Sequence, residues 1–121
     1  MGGGEAVKKI ALFVFNGDPM CFIHVLLNGL DLHAKGHTIK IDMEGAATAL
    51  VKDLNNSGNP LQPLWQKALD LDLIEGVCKA CANKMGTRKA AEALGLQQLD
   101  EMSGHPAMSS YMDNGYNIIT F

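Results

Sequence analysis

Cys78-Lys79-Ala80-Cys81 is the densest group of reactive side chains in the sequence. A C-x-x-C pair serves zinc sites, redox pairs and sulfur carriers alike. Cys78 closes the segment Leu73 to Cys78, which reads as a strand, and opens Lys79 to Met85, which predicts about two helical turns ended by Gly86. Its sulfur is thereby expected to face the first free helical amides, with Lys79 and Lys84 adding positive charge, and all three effects favour thiolate over thiol. The competing reading makes Cys78 a small buried hydrophobe that completes its strand. Cys21, beside Phe22 and Ile23, reads as core or boundary filling.

Other chemistry is sparser. The glycine run Gly2 to Gly4 precedes the first predicted strand instead of linking it to a helix, so neither a dinucleotide fingerprint nor a P-loop is present. The loop Asn16-Gly17-Asp18-Pro19 offers amides at a helix start, but Asp18 puts a like charge where an anion would sit, leaving a turn and helix cap that help shape a pocket. A zinc site would need two further ligands, and no second C-x-x-C or H-x-x-x-H follows; neither a metal nor a cofactor is expected. Among the scattered histidines, His105 in Ser103-Gly104-His105-Pro106 is the one placed to meet the end of a sheet. Glu44 is the carboxylate at the end of the second strand, with Asp18 the other acid in range.

The elements that would position these groups alternate along the chain. Val7 to Phe15 reads as a central strand, apolar on both faces after Lys9. Asp18 caps a helix with Pro19 at its first position, an apolar stripe at Ile23, Leu26, Leu27, Leu30 and Ala34, and Gly36 as its stop. Thr38 to Met43 alternates Ile39, Ile41 and Met43 with polar residues, which predicts a half-exposed strand nearer a sheet edge. A short helix over Ala46 to Leu54, the loop Asn55 to Pro60 and a helix over Leu61 to Leu71 come next. Thr87 is read as the cap of a helix over Arg88 to Leu94, Leu96 to Met102 can hold a short strand, Pro106 to Asn114 is helical, and Tyr116 to Phe121 is a terminal strand. Met102, Met108, Met112 and Tyr111 read as core or subunit interface.

Such alternation predicts a flavodoxin-like three-layer α/β domain with a mostly parallel sheet of four or five strands, residues 7–121, after a flexible start over residues 1–6. In such sheets ligands meet the carboxyl ends of strands at the topological switch point, which directs attention to Asn16 to Met20, Glu44 to Gly45 and Cys78 to Met85. Length and composition agree: 121 residues, 47 % hydrophobic and 19 % charged, suffice for one core. Ten basic residues against thirteen acidic ones, a formal charge of −3, argue against nucleic acid. The apolar run Ile10 to Phe15 is too short to span a membrane, and three cysteines without an export signal fit reduced thiols in the cytoplasm.

Four segments in order, FVFNGDP, AKGHTIKIDMEG, VCKACANKMG and GYNIITF, give the chain a likeness that spans nearly the whole domain. In these it resembles the DsrE/DsrF-like family of sulfur-relay and related proteins, which includes TusD and YchN. The resemblance implies self-assembly into trimers or hexamers, and a cysteine at the end of a late strand that takes sulfur as a persulfide from a donor protein and hands it to an acceptor. Cys78 stands where that cysteine would be, and Cys81, not required by the TusD-like pattern, joins it as a catalytic candidate that resolves the persulfide as a disulfide, assists it or is inert; Asn16, Gly17, Asp18, Glu44, Lys79, Lys84 and His105 are the supporting residues that the strand-end reading supplies. The alternative is a non-catalytic oligomeric binding module whose C-x-x-C ligates a metal or only packs.

Overall fold

The computed structural model describes residues 6–121, so nearly all of the start expected to be flexible lies outside the described residues. Five parallel strands, β1 (Lys9–Val14), β2 (Thr38–Met43), β3 (Ile74–Cys78), β4 (Gln97–Leu99) and β5 (Asn117–Thr120), form one sheet in the order β4-β3-β2-β1-β5. Six α-helices connect them: α1 (Pro19–Ala34), α2 (Leu50–Leu54) preceded by a 3-10 turn over Gly45–Ala49, α3 (Gln62–Asp70), α4 (Lys79–Met85), α5 (Arg88–Ala93) and α6 (Met108–Asp113).

The strand order explains the layering. From β1 to β4 each step moves the same way across the sheet, and right-handed crossovers then lay every connecting helix on one face. That face holds the main core, in which Leu12, Val14, Ile41, Met43 and Val77 of the strands pack against Phe22 and Leu26 of α1, Val51 and Leu54 of α2, Trp65 of α3, Ala82 of α4 and Ala91 of α5. The return from β4 to β5 reverses direction and carries α6 to the opposite face, where Tyr111 packs on Ala11 and Phe13. The sheet is therefore sandwiched between a broad helical layer and a single short helix.

Asp18 caps α1 as its sequence requires, accepting a hydrogen bond from the Met20 N–H at 2.8 Å, with Pro19 at the first position. The buried stripe of α1 differs from the expected one: Phe22, Val25, Leu26 and Gly29 face the core, whereas Leu27 and Ala34 are exposed. The helix is apolar on more than one side, so periodicity does not select the seam; close approach to the sheet does. A Cβ at Gly29 would stand 3.2 Å from Ile41 Cδ1, tighter than ordinary packing allows.

β2 is also not near an edge but at the centre of the sheet. Its polar residues face the α6 side, where they have partners: Lys40 pairs with Glu75, and Asp42, fully buried, accepts from the Tyr111 hydroxyl at 2.8 Å. Alternation there marks a polar layer within the fold, not a wet surface. Thr87 is a second correction, because its hydroxyl does not cap α5 but donates to the Thr48 carbonyl at 2.8 Å, tying α5 to the 3-10 turn. Of the C-terminal group read as core or interface, Tyr111 is buried and Met102, Met108 and Met112 are exposed.

Candidate functional site

After β3 the chain passes to α4 on the main-core face, and after β4 it passes to α6 on the other. The carboxyl ends of these neighbouring strands are therefore the switch point of the sheet, where a crevice opens between diverging connections. Cys78 ends β3 there, and His105 comes from the turn that follows β4.

Cys78 is the N-cap of α4, in extended backbone, and its Sγ accepts from the Cys81 N–H at 3.4 Å. The seven residues of α4 coincide with the predicted segment, and Gly86 ends it at φ 75°. The His105 Nδ1 atom lies 3.0 Å from Cys78 Sγ and 3.8 Å from Cys81 Sγ. Backbone bonds hold this geometry. Ala80 N–H donates to the Gly104 carbonyl at 2.9 Å, fastening the turn to α4, while Met102 and His105 exchange hydrogen bonds at 2.7 and 3.0 Å. Closing that turn requires left-handed backbone at Ser103 (φ 52°) and Gly104 (φ 90°), conformations that glycine adopts freely and serine does not.

The electrostatics oppose the expected thiolate. Cys78 is fully buried, and that burial, reinforced by the Cys81 side chain, pushes its thiol up to about 12; the Cys81 N–H acts in the opposite direction but does not prevail. A helix start stabilises an anion only as far as desolvation permits. Cys81 is half-buried and more accessible. Glu44, buried at the end of β2, has its carboxyl raised to about 7 by desolvation.

The other predicted residues divide plainly. Lys79 points outward to Asp100 at 3.5 Å, an exposed pair of small energetic weight. Lys84 is exposed on the last turn of α4, away from its N-terminus. Asn16 accepts from the Asp18 N–H at 2.8 Å and Asp18 caps α1, so both shape the turn. Gly17 lies against Ala46, where a Cβ would come 2.8 Å from the Ala46 carbonyl oxygen. Among the described residues, only Cys78, Cys81 and His105 bring metal-ligating side chains together. What the sequence did not disclose was the Gly104 carbonyl and the turn that aims His105; the glycine before and the proline after that histidine are its local signature.

A separate groove of about 670 Å³ runs over the α6 face, lined by Lys9, Lys40, Glu75, Gln98, Tyr111 and Tyr116 among others, and no member of the cysteine cluster lines it. No helix among the described residues is long and apolar enough to cross a membrane.

Comparison with known proteins agrees with this architecture. An uncharacterized protein of Methanocaldococcus jannaschii is 36 % identical over 117 residues, covering 92 % of this chain and 93 % of its own. An uncharacterized protein of Archaeoglobus fulgidus is 42 % identical over 43 residues, covering 36 % of this chain and 70 % of its own. No solved structure matches. The model of the DsrE/DsrF-like family matches residues 9–121, the whole of the sheet and its helices, and the chain belongs to that family.

Proposed function

We propose that the protein is a sulfur carrier or sulfurtransferase subunit that accepts sulfur as a persulfide on Cys78 and relays it to a partner protein. The observation that supports this most is the 3.0 Å contact between Cys78 Sγ and His105 Nδ1, with Cys81 one turn along α4. Because burial holds the resting thiol neutral, activation is by proton transfer during attack and not by a standing thiolate. In the loading step Cys78 Sγ bonds to the outer sulfur of a donor persulfide as its proton passes to His105. The donor S–S bond breaks, and the donor thiolate leaves and is reprotonated. The product is Cys78 persulfide, with no net oxidation.

Delivery is the same exchange onto an acceptor thiol. Cys81 offers a second exit: its attack on the inner sulfur expels hydrosulfide and forms a Cys78 to Cys81 disulfide, which an external dithiol then reduces. The Gly104 carbonyl and the His105 ring lie 3.6 and 3.0 Å from Cys78 Sγ, so a donor persulfide reaches that sulfur from the half-buried side of Cys81 and His105. In the resting protein Cys81 is therefore alkylated before Cys78, the reverse of the order a depressed Cys78 pKa would give. We further propose that the chain is a homo-oligomer, in keeping with the family resemblance and the exposed Met108 and Met112 on α6; a monomeric mass by light scattering removes that element.

Intact-mass measurement without reductant, after incubation with a cysteine desulfurase and cysteine, tests the relay. Wild type and Cys81→Ser gain one sulfur, Cys78→Ser gains none, and His105→Ala loads slowly. Loading on Cys78→Ser but not on Cys81→Ser exchanges the two roles. Absence of loading on every variant, with several persulfide donors tried, overturns the reading.

A further inference from the structure

We propose that Cys78, Cys81 and His105 form a three-donor site for a borderline-soft metal ion, Zn²⁺ in the first instance, with a fourth position open to water or an incoming thiol. Sequence alone argued against zinc because the C-x-x-C lacked further ligands. The fold supplies one, since His105 is 24 residues from Cys81 in sequence but 3.8 Å from it in space.

The donor types and spacing suit such an ion. With Zn–S bonds of about 2.3 Å and Zn–N bonds of about 2.0–2.1 Å, neighbouring ligands around a tetrahedral zinc stand roughly 3.5 to 3.8 Å apart. Here the two sulfur-to-Nδ1 separations are 3.0 and 3.8 Å, and all three donor atoms lie within 4.8 Å of one another. Each of these separations lies within about 1 Å of its value around a tetrahedral ion.

Support around the ligands is already in place. The CxxC segment is fixed by the α4 N-terminus, and the histidine by a turn bonded to α4 through the Gly104 carbonyl, so the two ligand-bearing segments move as one unit. Binding releases one proton from each thiol, and a dication with two thiolates and a neutral imidazole carries no net charge. That balance matters where one ligand is fully buried. Cys81 and His105 are half-buried, so the cluster meets solvent on their side and leaves an entry path there. The site does not depend on the sulfur-relay reading. A bound ion would occupy both thiols and exclude loading, making metal and sulfur competitors for one set of atoms.

Cobalt titration of chelator-treated protein, kept reduced by a phosphine, tests the site with metal alone. One Co²⁺ per chain is expected, with a near-ultraviolet thiolate-to-metal band and the intense visible bands of tetrahedral cobalt, and Zn²⁺ should displace it one for one. Cys81→Ser and His105→Ala change half-buried residues and should keep the wild-type circular dichroism. Each removes a ligand and should weaken cobalt binding beyond the roughly 10–100-fold that loss of a supporting partner causes. Absence of binding, a weak six-coordinate spectrum without the thiolate band, or affinity unchanged in His105→Ala overturns the proposal. Sulfur loading is read separately on the same chelator-treated protein without metal, so its failure there alongside intact cobalt binding counts against the relay alone.

Discussion

The two faces of the sheet differ in how much polar chemistry they bury. On the main-core face, β1, β2 and β3 present Leu12, Val14, Ile41, Met43 and Val77 to five helices, and the large side chains there are dry. On the α6 face β2 and β3 present Lys40, Asp42 and Glu75, with Lys40 and Glu75 paired and Asp42 bonded to a tyrosine hydroxyl, beside a small apolar cluster of Ala11 and Phe13 from β1 with Tyr111. One buried oxygen of Asp42 and the amide of Gln98 have no hydrogen-bond partner there. The first face gains stability from burial, while the second gives up some of it to hold polar groups out of water. The cysteine cluster lies at the end of β3, where the chain leaves for one face and the β4 connection leaves for the other.

Leu12→Ala should break this contrast most heavily. Leu12 is 1 % exposed at the centre of the main core, close to the point where α1 meets the sheet, and truncation there costs about 2–5 kcal/mol by chemical denaturation. A loss under about 1 kcal/mol would mean that the main-core face is not the tightly packed one.

Asp42→Asn should change stability in the other direction. Burial raises the Asp42 carboxyl to about 7, with Glu75, Glu44 and Glu101 adding like charge and the Tyr111 bond opposing. The folded chain then holds a proton that the unfolded chain has released, so this group's contribution is full below about pH 4 and is lost as pH rises toward 7. The amide keeps an acceptor for Tyr111 without the buried charge, so the variant should be about 1–3 kcal/mol more stable than wild type at pH 8 and nearly equal to it at pH 4. Glu44, raised to about 7 by its own burial, leaves a residual slope in the variant. Paired urea titrations at the two pH values measure the difference, and a destabilised variant at pH 8 would refute a strained carboxylate.

Tyr111→Phe sharpens the same point from the partner's side. It keeps the edge-on ring contact with Phe13 at 5.4 Å but removes the hydroxyl that donates to Asp42. Both carboxylate oxygens then lack a partner, at a cost of about 1–2 kcal/mol at pH 8 and less at low pH, where the carboxyl is neutral. In the Asp42→Asn background the cost should shrink, which a double-mutant cycle reads directly.

Lys35→Ala, at the outer rim of the main-core layer, should move stability by no more than about 0.5 kcal/mol. Its ammonium lies 3.2 Å from Asp31, but both side chains are more than half exposed. A larger effect would show that the outer surface of α1, and not only its inner seam, supports the fold.

Much of the architecture lies in local pattern. Asp18-Pro19 starts α1, Gly86 ends α4, and the alternation of apolar strands with helical stripes requires a parallel sheet, because these signals depend on φ/ψ preference and on periods of two and 3.6 residues. The sequence likewise marks Cys78 as the residue between a strand and a helix, and the family resemblance points to the same position. Strand order is not local: the alternation in β2 suits an edge facing water as well as a central strand facing Tyr111, and the arrival of α6 from residues 108–113 decides between them. The same holds for the seam of α1, chosen by the approach of Gly29 to Ile41.

Cys78 shows the division most clearly. Its place at a helix start, which favours the thiolate, is written in neighbouring residues. Its burial, which overrides that preference, and its contact with His105 come from the turn that follows β4, more than twenty residues away. Hydrogen bonds to the next turn of a helix follow from chain geometry, whereas desolvation and ligand spacing depend on which distant segments fill the space around a group, and only the folded chain sets that.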